Sequence, residues 1–424
     1  MDKVRQLIKR WLPHSLFTRL QPAYHYLLAF LGALVHRFPS RDIVVIGVTG
    51  TKGKSSVTEI LSHILRSDDK KVASLSTIQF SIDGEVERNL FKMTMPGRFF
   101  VQKFLRQAVT AGCTHAVIEM TSEGAKQFRH KFIELDALIF TNLTPEHIES
   151  HGSFENYKTA KLSLAKAVEN SSKRPRYLVA NVDDEHGSDF LNFEVEQKLP
   201  YSLKDLKLYT LHKDGFSLVF GDNTVRVPLI GLFNVYNTLA AITLAKALGV
   251  PSEKIYSSLG KLPQLKGRVE KFRGVLADKR SATVVVDYAH TPDSLTKLYE
   301  AFPNQTKICV LGNTGGGRDS WKRPEMGAIA EKYCGRIILT NEDPYDEDPM
   351  KIVNDMRAGM SESAPVKIIM DRKEAIKEAI MDCPDGGLVL VSGKGTDPYI
   401  MGANNTRVEW SDAEVCQALL AELS

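Results

Sequence analysis

From residue 41 onward, short apolar runs alternate with longer stretches of helical period. The run IVVIGV (43–48) is continuous, which predicts a strand buried on both faces, and it ends in a glycine-rich turn. Residues 54–66 then follow a helical pattern, and AVIEM (116–120) and ALIFTNL (137–143) predict further buried strands. A second rhythm begins near residue 282, with TVVVD (283–287), KICVLG (307–312), RIILT (336–340), VKIIM (366–370) and GLVLVSG (387–393), each followed by a helix-length stretch. The predicted fold class is therefore α/β: a central domain with a parallel-rich sheet and a phosphate loop, then a second, Rossmann-like α/β domain. Residues 200–228 predict a small β-rich insert in the first domain. Residues 261–275, with Pro, Gly and charge but little periodicity, predict the hinge. The expected division is an N-terminal helical segment 1–40, a central domain 41–266 and a C-terminal domain 267–424.

The apolar run YHYLLAFLGALV (24–35), flanked by Arg19, Arg37 and Arg41, is shorter than the ~20 residues a membrane span needs. No small-residue cleavage site follows it, so a signal peptide is not expected. It reads either as a helix packed on the body or as an interfacial helix, with Lys3, Arg5, Lys9 and Arg10 suited to anionic lipid. Composition is that of a globular chain, 43% hydrophobic and 25% charged, and a net charge of +4 gives no basis for nucleic-acid binding. Cys113, Cys309, Cys334, Cys383 and Cys416 are scattered without a CxxC pair. Neither a zinc site nor a disulfide is expected, and reduced thiols suit a cytoplasmic enzyme. A monomer is expected, with membrane contact through residues 24–35 left open.

The strongest chemical signal is GVTGTKGKSS (47–56), where a strand runs through glycines into a helix. Backbone N–H groups of such a loop face phosphate oxygens, and the helix dipole adds positive potential. Gly50 and Gly53 permit close approach. Thr51, Lys52, Ser55 and Ser56 line the loop, Lys54 is expected to reach the β- and γ-phosphates, and Ser55 to hold Mg²⁺. Counting back from Gly53, the strict GxxxxGK[ST] spacing finds Val48 where glycine is expected, with Gly47 one step earlier.

TGTKGKSS resembles the TGTNGKTT loop of the Mur ligases, which add amino acids to peptidoglycan precursors. Further segments resemble the same family in order. IEMTSEGAKQFR (118–129) is similar to its EVSSH strand end and Gln-x-Arg tail. The resemblance implies that Glu119 ligates a second Mg²⁺ and that Thr121, Gln127 and Arg129 hold a UDP-MurNAc-peptide. TNLTPEHIESHGSFENYKTAK (141–161) resembles TNLxxDHLDYHG…YxxAK, which implies a metal-ligating His147 and a Lys161 carbamylated by CO₂. GLFNVYNTLA (231–240) resembles GxFNVYNxLAA, whose asparagines, here Asn234 and Asn237, contact adenine. GRVE with VVVDYAHTPDSL (267–295) implies that Arg268, Asp287 and Tyr288 close over ATP. GNTGGGRDSWKRPEMG (312–327) supplies Arg318, Asp319, Lys322 and Arg323 of a GxGGxRDxxKRP motif. FNVYN, DYAHTP and GGGRD point to the branch acting on UDP-MurNAc-L-Ala-D-Glu.

Three segments depart from that branch. Its members usually carry an N-terminal domain of about a hundred residues that grips the UDP group, whereas about forty residues precede the first strand here. The NTTP substrate turn reads MTMP (93–96), keeping Thr94 and Pro96 but replacing an amide and a hydroxyl by thioethers. Where diaminopimelate-adding enzymes carry DNPR, this chain has EDPY (342–345), with Asp343 kept polar and Tyr345 at the Arg position. GKGTDPY (393–399) replaces GKGHE, so Gly393 is kept and Asp397 stands at the Glu position. Tyrosine supplies no cationic fork for a distal carboxylate. The acidic run Glu342, Asp343, Asp346 and Glu347 reads either as a site for a cationic side chain or as a solvated loop face.

The resemblance implies an ATP-dependent carboxylate–amine ligase with ATP, two Mg²⁺ ions and a carbamylated lysine. The γ-phosphoryl moves to a carboxylate, an amine attacks the acyl phosphate, and domain closure excludes water. Four alternatives remain: a folylpolyglutamate-synthase-like ligase, a related ligase for a lipid-linked cell-wall precursor, a non-catalytic nucleotide-binding partner, and a plain ATPase or GTPase.

Overall fold

The computed structural model describes residues 14–146, 148–220, 223–317 and 319–424. His147 and Arg318, with Lys3, Arg5, Lys9 and Arg10, lie outside the described residues.

The first sheet has eight strands: β1 (Val44–Thr49), β2 (Val72–Leu75), β3 (Gln79–Ile82), β4 (Glu85–Arg88), β5 (His115–Glu119), β6 (Ala137–Phe140), β7 (Tyr177–Asn181) and β8 (Gln197–Tyr201). They lie in the order β4-β3-β2-β5-β1-β6-β7-β8, all in one direction except β3, which is antiparallel to both β2 and β4. Side chains of β1 alternate between two cores. Ile46 and Val48 pack with Val57, Ile60 and Leu61 of helix Lys54–Ser67, while Ile43 and Val45 pack with Val101, Phe104 and Leu105 of helix Arg98–Thr110. Because both faces are covered, the strand reads as an unbroken apolar run. A three-stranded antiparallel sheet of β9 (Leu208–His212), β10 (Gly215–Phe220) and β11 (Asn223–Val227) is the expected β-rich insert.

The second sheet comprises β12 (Glu270–Val275), β13 (Ser281–Asp287), β14 (Lys307–Leu311), β15 (Arg336–Leu339), β16 (Val366–Ile368) and β17 (Gly387–Ser392), in the order β12-β13-β17-β14-β15-β16. Only β12 runs antiparallel. This narrows the expected hinge: residues 270–275 are not linker but the edge strand of the second sheet. Their alternation of exposed and half-buried residues hid them from a search for continuous apolar runs. Helix Asp412–Glu422 is tied to this sheet by a buried ion pair, in which Arg372 Nε and Nη2 donate to Asp412 at 2.8 and 2.7 Å.

Two expectations need correction or refinement. Cys309 and Cys334 are not free thiols but a disulfide, with Cα atoms 6.1 Å apart, a separation that a bridge spans. One sits on β14 and the other caps helix Lys322–Tyr333, so the fold joins cysteines that show no spacing pattern. The N-terminal apolar run lies in a longer helix, His14–Val35. It packs Ala29 and Ala33 inward, while Tyr24, Tyr26, Leu27, Phe30, Leu31, Leu34 and Val35 stay exposed. No helix among the described residues is long and apolar enough to cross a membrane.

Candidate active site

β1 ends between parallel neighbours β5 and β6, and the chain leaves it through the glycine-rich loop. Such a switch point opens a crevice at the carboxyl ends of the strands. Gly50 has φ +146°, and a Cβ there would lie 1.9 Å from Thr141 Oγ1. Gly53 caps helix Lys54–Ser67 at φ +85°, where a Cβ would lie 2.3 Å from Asn237 Oδ1. Both positions therefore require glycine. Lys54 Nζ folds back to donate to the carbonyls of Gly50 (3.1 Å) and Thr51 (2.9 Å). Lys161 Nζ donates to the same Gly50 carbonyl at 2.6 Å, over the ring of Tyr157. Burial lowers the pKa of Lys54, with Glu119 and Glu146 opposing. Burial, reinforced by Lys54, drives Lys161 well below the ordinary lysine range. The two amines share one carbonyl acceptor, so each disfavours protonation of the other.

A hydrogen-bonded relay leads away from the loop. Ser55 Oγ donates to Glu119 Oε2 at 2.9 Å, and Thr77 donates to the same carboxylate through its N–H (2.8 Å) and hydroxyl (3.1 Å). Thr77 Oγ1 in turn lies 2.8 Å from Thr94 Oγ1 in the MTMP turn. A serine hydroxyl beside a buried carboxylate is a hard-oxygen pair suited to Mg²⁺. Among the described residues no three acidic, histidine or cysteine side chains form a metal cluster, and Lys161 meets Gly50 rather than Glu119.

Thr121 caps the short helix Ser122–Lys126 by accepting from Gly124 N. Gln127 donates to Glu123 Oε1 at 2.5 Å and accepts from Arg129 Nη2 at 2.9 Å, so it orients the guanidinium from outside the cleft wall. Arg129 also donates to the Met95 carbonyl and lies 3.9 Å from the Met93 sulfur.

The opposite wall comes from the second sheet and the segment entering it. Arg268 stacks on Tyr288 at 4.7 Å and reaches Ser55 Oγ at 3.4 Å. Asp287 accepts from the backbone N–H groups of Val269 (2.8 Å) and Ala289 (2.7 Å), which fixes the turn between the two units, and burial raises its pKa. His290 Nδ1 donates to the Tyr288 carbonyl at 2.6 Å, and Nε2 lies 3.2 Å from Glu146, which already pairs with Lys52 at 2.9 Å. Burial, then Lys52, lowers the His290 pKa to about 4, against the hydrogen bond to Glu146. Asn234 donates to the Ile230 carbonyl and accepts from Asn237, so Asn237 faces the loop while Asn234 supports it from behind.

Farther along this wall lie Asp343, Tyr345, Gly393 and Asp397. Of the acidic run, Glu342 and Asp343 are buried, Glu347 is half-buried and Asp346 is exposed. Glu347 and Arg323 make a forked pair at 2.7 and 2.8 Å, Asp346 accepts from Asn404 N, and Asp343 and Asp397 each meet Lys92 and Lys394. Gly393, at φ +108°, leaves room for Glu342, whose Oε2 would lie 2.1 Å from a Cβ there.

One cleft of about 1670 Å³ gathers these groups, with Lys54, Glu119 and Lys161 on one side and Arg268, Asp287 and Asp343 on the other. Gly50, Asn234 and Gln127 stand behind its walls. Sequence reasoning missed Thr77, Glu146, Lys92 and Lys394. Glu146 adjoins a motif histidine and Lys394 lies inside the GKG segment, so both had an available signal. Thr77 and Lys92 lie in irregular chain with none.

Two sequence profiles match the chain: the Mur ligase middle domain over residues 48–245, and the Mur ligase glutamate ligase domain over 267–395. Among curated proteins, the UDP-N-acetylmuramoyl-L-alanyl-D-glutamate–2,6-diaminopimelate ligase of Syntrophomonas wolfei is 33% identical over 93% of this chain and 81% of that protein. Its counterpart in Synechococcus elongatus is 36% identical over 92% and 79%. A solved structure of such a ligase matches at 27% identity with a TM-score of 0.62, covering 93% of this chain and 83% of that one. The folylpolyglutamate synthase of Mycobacterium tuberculosis shares the fold at 14% identity, with a TM-score of 0.67 over 88% and 93%. The chain belongs to the Mur ligase family.

Proposed function

We propose that this chain joins an amino acid to the terminal carboxylate of UDP-MurNAc-L-Ala-D-Glu, using ATP and releasing ADP and phosphate. The observation that carries the reading is the relay Ser55–Glu119–Thr77–Thr94, which ties the phosphate loop to the substrate turn through consecutive hydrogen bonds. A γ-phosphate held at Ser55 and a carboxylate held near Thr94 and Arg129 would meet over Glu119. Gly50–Ser56 cradle the phosphates, and Lys54 exchanges its two carbonyl partners for phosphate oxygens. Arg268 adds positive charge from the opposite wall. The adenine lies by Asn237, with Asn234 behind it, and Asp287 and Tyr288 hold the turn that brings Arg268 across. Thr121, Gln127 and Arg129 position the acceptor, and Asp343, Tyr345, Gly393 and Asp397 line the amino-acid end.

Ser55, Glu119, His147 and a carbamylated Lys161 are the proposed magnesium ligands. Two Mg²⁺ ions, when bound, offset the repulsion between phosphate and carboxylate. The lowered pKa of Lys161 supports its carbamylation, since CO₂ adds to the free amine. The units divide at residues 41 and 267, with 1–40 as a separate helical segment. The protein acts as a cytoplasmic monomer.

The exposed apolar face of helix His14–Val35 supports peripheral contact with a bilayer, and with it a second reading in which the acceptor is lipid-linked. Leu90, Phe91 and Met93, beside the acceptor residues, are exposed as well. The test is phosphate release from ATP with UDP-MurNAc-L-Ala-D-Glu and a panel of amino acids, with products identified by mass spectrometry. A single tripeptide product supports the first reading. Turnover only with a lipid-linked acceptor supports the second, and turnover with neither overturns both.

A further inference from the structure

Helix His14–Val35 is apolar around its circumference yet covered on one side only. From Pro22 to Val35 it carries no charged residue. His25, Ala29, Gly32 and Ala33, about one turn apart, face the body and are buried. Leu27, Phe30, Leu31 and Leu34 repeat at the same spacing on the opposite side and are 56, 38, 37 and 50% exposed. A helix apolar all round belongs in a buried setting, and a contiguous exposed patch of this kind marks a surface that meets a partner. Tyr24 and Tyr26, also exposed, are the polar groups of this face. Each presents an apolar ring and a hydroxyl that stays wet, as at a membrane–water boundary.

The charges around the patch identify the partner. In sequence, Arg10 and Arg19 precede the apolar run and Arg37 and Arg41 follow it. Arg37 and Arg41 are exposed, the second lying 4.6 Å over the ring of Phe38. Lys103 and Arg106 stand beside them on helix Arg98–Thr110, both close enough to add to the burial that lowers the His36 pKa. Arg106 donates to the carbonyls of His36 and Arg37, and it takes Asp42, the carboxylate of this turn, at 3.2 Å. A second copy of the chain laid on this face would set cation against cation in either direction, which is costly. A bilayer with anionic lipid offers apolar chains to the helix and phosphates to both of its ends.

The patch is joined to the cleft. Tyr26 meets the rings of Phe132 and Phe128 at 5.0 and 6.3 Å, and Phe30 meets Phe132 at 5.4 Å. Between these two phenylalanines, Arg129 reaches the Met95 carbonyl and the Met93 sulfur, so one short loop carries both the helix contact and the acceptor contact. At Gly32 the helix closes on the first turn of helix Arg98–Thr110, where a Cβ would lie 3.4 Å from Phe99 Cα. Phe100, beside it, meets Phe91 at 5.0 Å, and Leu90, Phe91 and Met93 are exposed. We infer that helix His14–Val35 lies in the surface of an anionic bilayer, with its apolar face at the headgroup–acyl boundary and Arg37 and Arg41 at the phosphates, and that Leu90, Phe91 and Met93 bring the acceptor mouth of the cleft to the same surface. The docking stands apart from the ligase reading. What the mouth takes up there, an acceptor carried on a lipid anchor, rests on that reading.

The test is co-sedimentation of the full chain with vesicles of phosphatidylcholine alone, or of phosphatidylcholine and phosphatidylglycerol in equal parts, without nucleotide or substrate. Wild type should pellet with the mixed vesicles and far less with the neutral ones, and added salt should release it. Arg37→Ala/Arg41→Ala should weaken binding roughly thirtyfold, each cation near the surface contributing about fivefold. Leu27→Glu/Leu31→Glu should abolish it. All four side chains are exposed, so the thermal midpoints of both variants should stay at the wild-type value. An environment-sensitive dye on Leu90→Cys should shift to the blue on the mixed vesicles. On Met381→Cys, which precedes the start of β17 at the end of the second sheet away from the cleft, it should not shift. Three results would each overturn the docking: no pelleting with mixed vesicles, pelleting that survives Leu27→Glu/Leu31→Glu, or a dimer that this variant dissolves and vesicles leave intact. Equal responses of the two dyes would overturn the orientation. Because no turnover is read, failure here leaves the phosphate-release assay to judge the ligase reading by itself.

Discussion

Replacing Glu119 by glutamine is the most searching perturbation of the site, because it keeps shape and volume while changing two properties at once. Glu119 Oε2 accepts from Ser55 Oγ at 2.9 Å and from Thr77 N at 2.8 Å, and the carboxylate takes the Thr77 hydroxyl at 3.1 Å. A glutamine has one acceptor oxygen. If that oxygen faces Thr77 N, the amide NH₂ is left to face donors elsewhere, and the Thr77–Thr94 link loses its anionic anchor. Hydrogen bonds to charged groups contribute about 1.5–3 kcal/mol each, so Glu119→Gln should destabilise the fold by about 2 kcal/mol. The second loss is the anionic oxygen proposed to hold magnesium. Altering metal-site partners costs about 10–100-fold, and losing the charge itself belongs at or beyond the upper end. The assay is acceptor-dependent phosphate release titrated with Mg²⁺, alongside a urea melt. The expected result is a loss of about 100-fold in kcat/KM, with the apparent Mg²⁺ requirement moved to higher concentration. Unchanged turnover at an unchanged Mg²⁺ requirement would refute both the relay and the metal assignment. A stability loss alone would leave Glu119 as scaffold only.

Lys161→Ala should abolish acceptor-dependent turnover, with partial rescue by formate or acetate if a carbamate is the working group; full activity without rescue would refute that. Asp412→Ala leaves the Arg372 guanidinium buried and unpaired, so a urea melt should show a loss of about 3–5 kcal/mol. Burial depresses His115 to about 4 and His130 to about 3. The unfolded chain therefore takes up protons as pH falls through about 6.5 while the native rings stay neutral, and stability should fall from about pH 6.5 down to their folded values. Both His130 ring nitrogens are buried without hydrogen-bond partners. His130→Phe should accordingly flatten that acid limb, measured as the melting midpoint between pH 7 and 4, by the equivalent of roughly 3 kcal/mol. An unchanged limb would show that other groups set it.

The sheets were legible because their strands are buried on both faces, and unbroken runs such as IVVIGV and GLVLVSG follow from that burial. β12 was not, because as an edge strand it is half wet and carries Lys271 and Arg273. The phosphate loop was legible from a strand, glycines, a lysine and a serine in order, although its spacing departs from the common pattern, and Gly50 and Gly53 answer to neighbours that exclude a side chain. Lys92 could not be found that way. Its importance lies in Asp343, 251 residues distant, and no local pattern encodes so remote a contact. The same holds for the acidic run, whose two readings, a site for a cationic side chain or a solvated face, could not be separated while Arg323, Lys92 and Lys394 were invisible beside it. Cys309 and Cys334 likewise carry no spacing signature.

The segment joining the two sheets ends in Gly267–Arg268, and Arg268 both stacks on Tyr288 and reaches Ser55. The crossing point of the chain thus lies beside the phosphate loop. The second unit therefore meets the first at two places, through Arg268 at the nucleotide end and through Asp343 and Asp397, which take Lys92, at the other. The linker itself is thus part of the nucleotide end of the cleft, and a change in its length or composition acts on the phosphate loop directly.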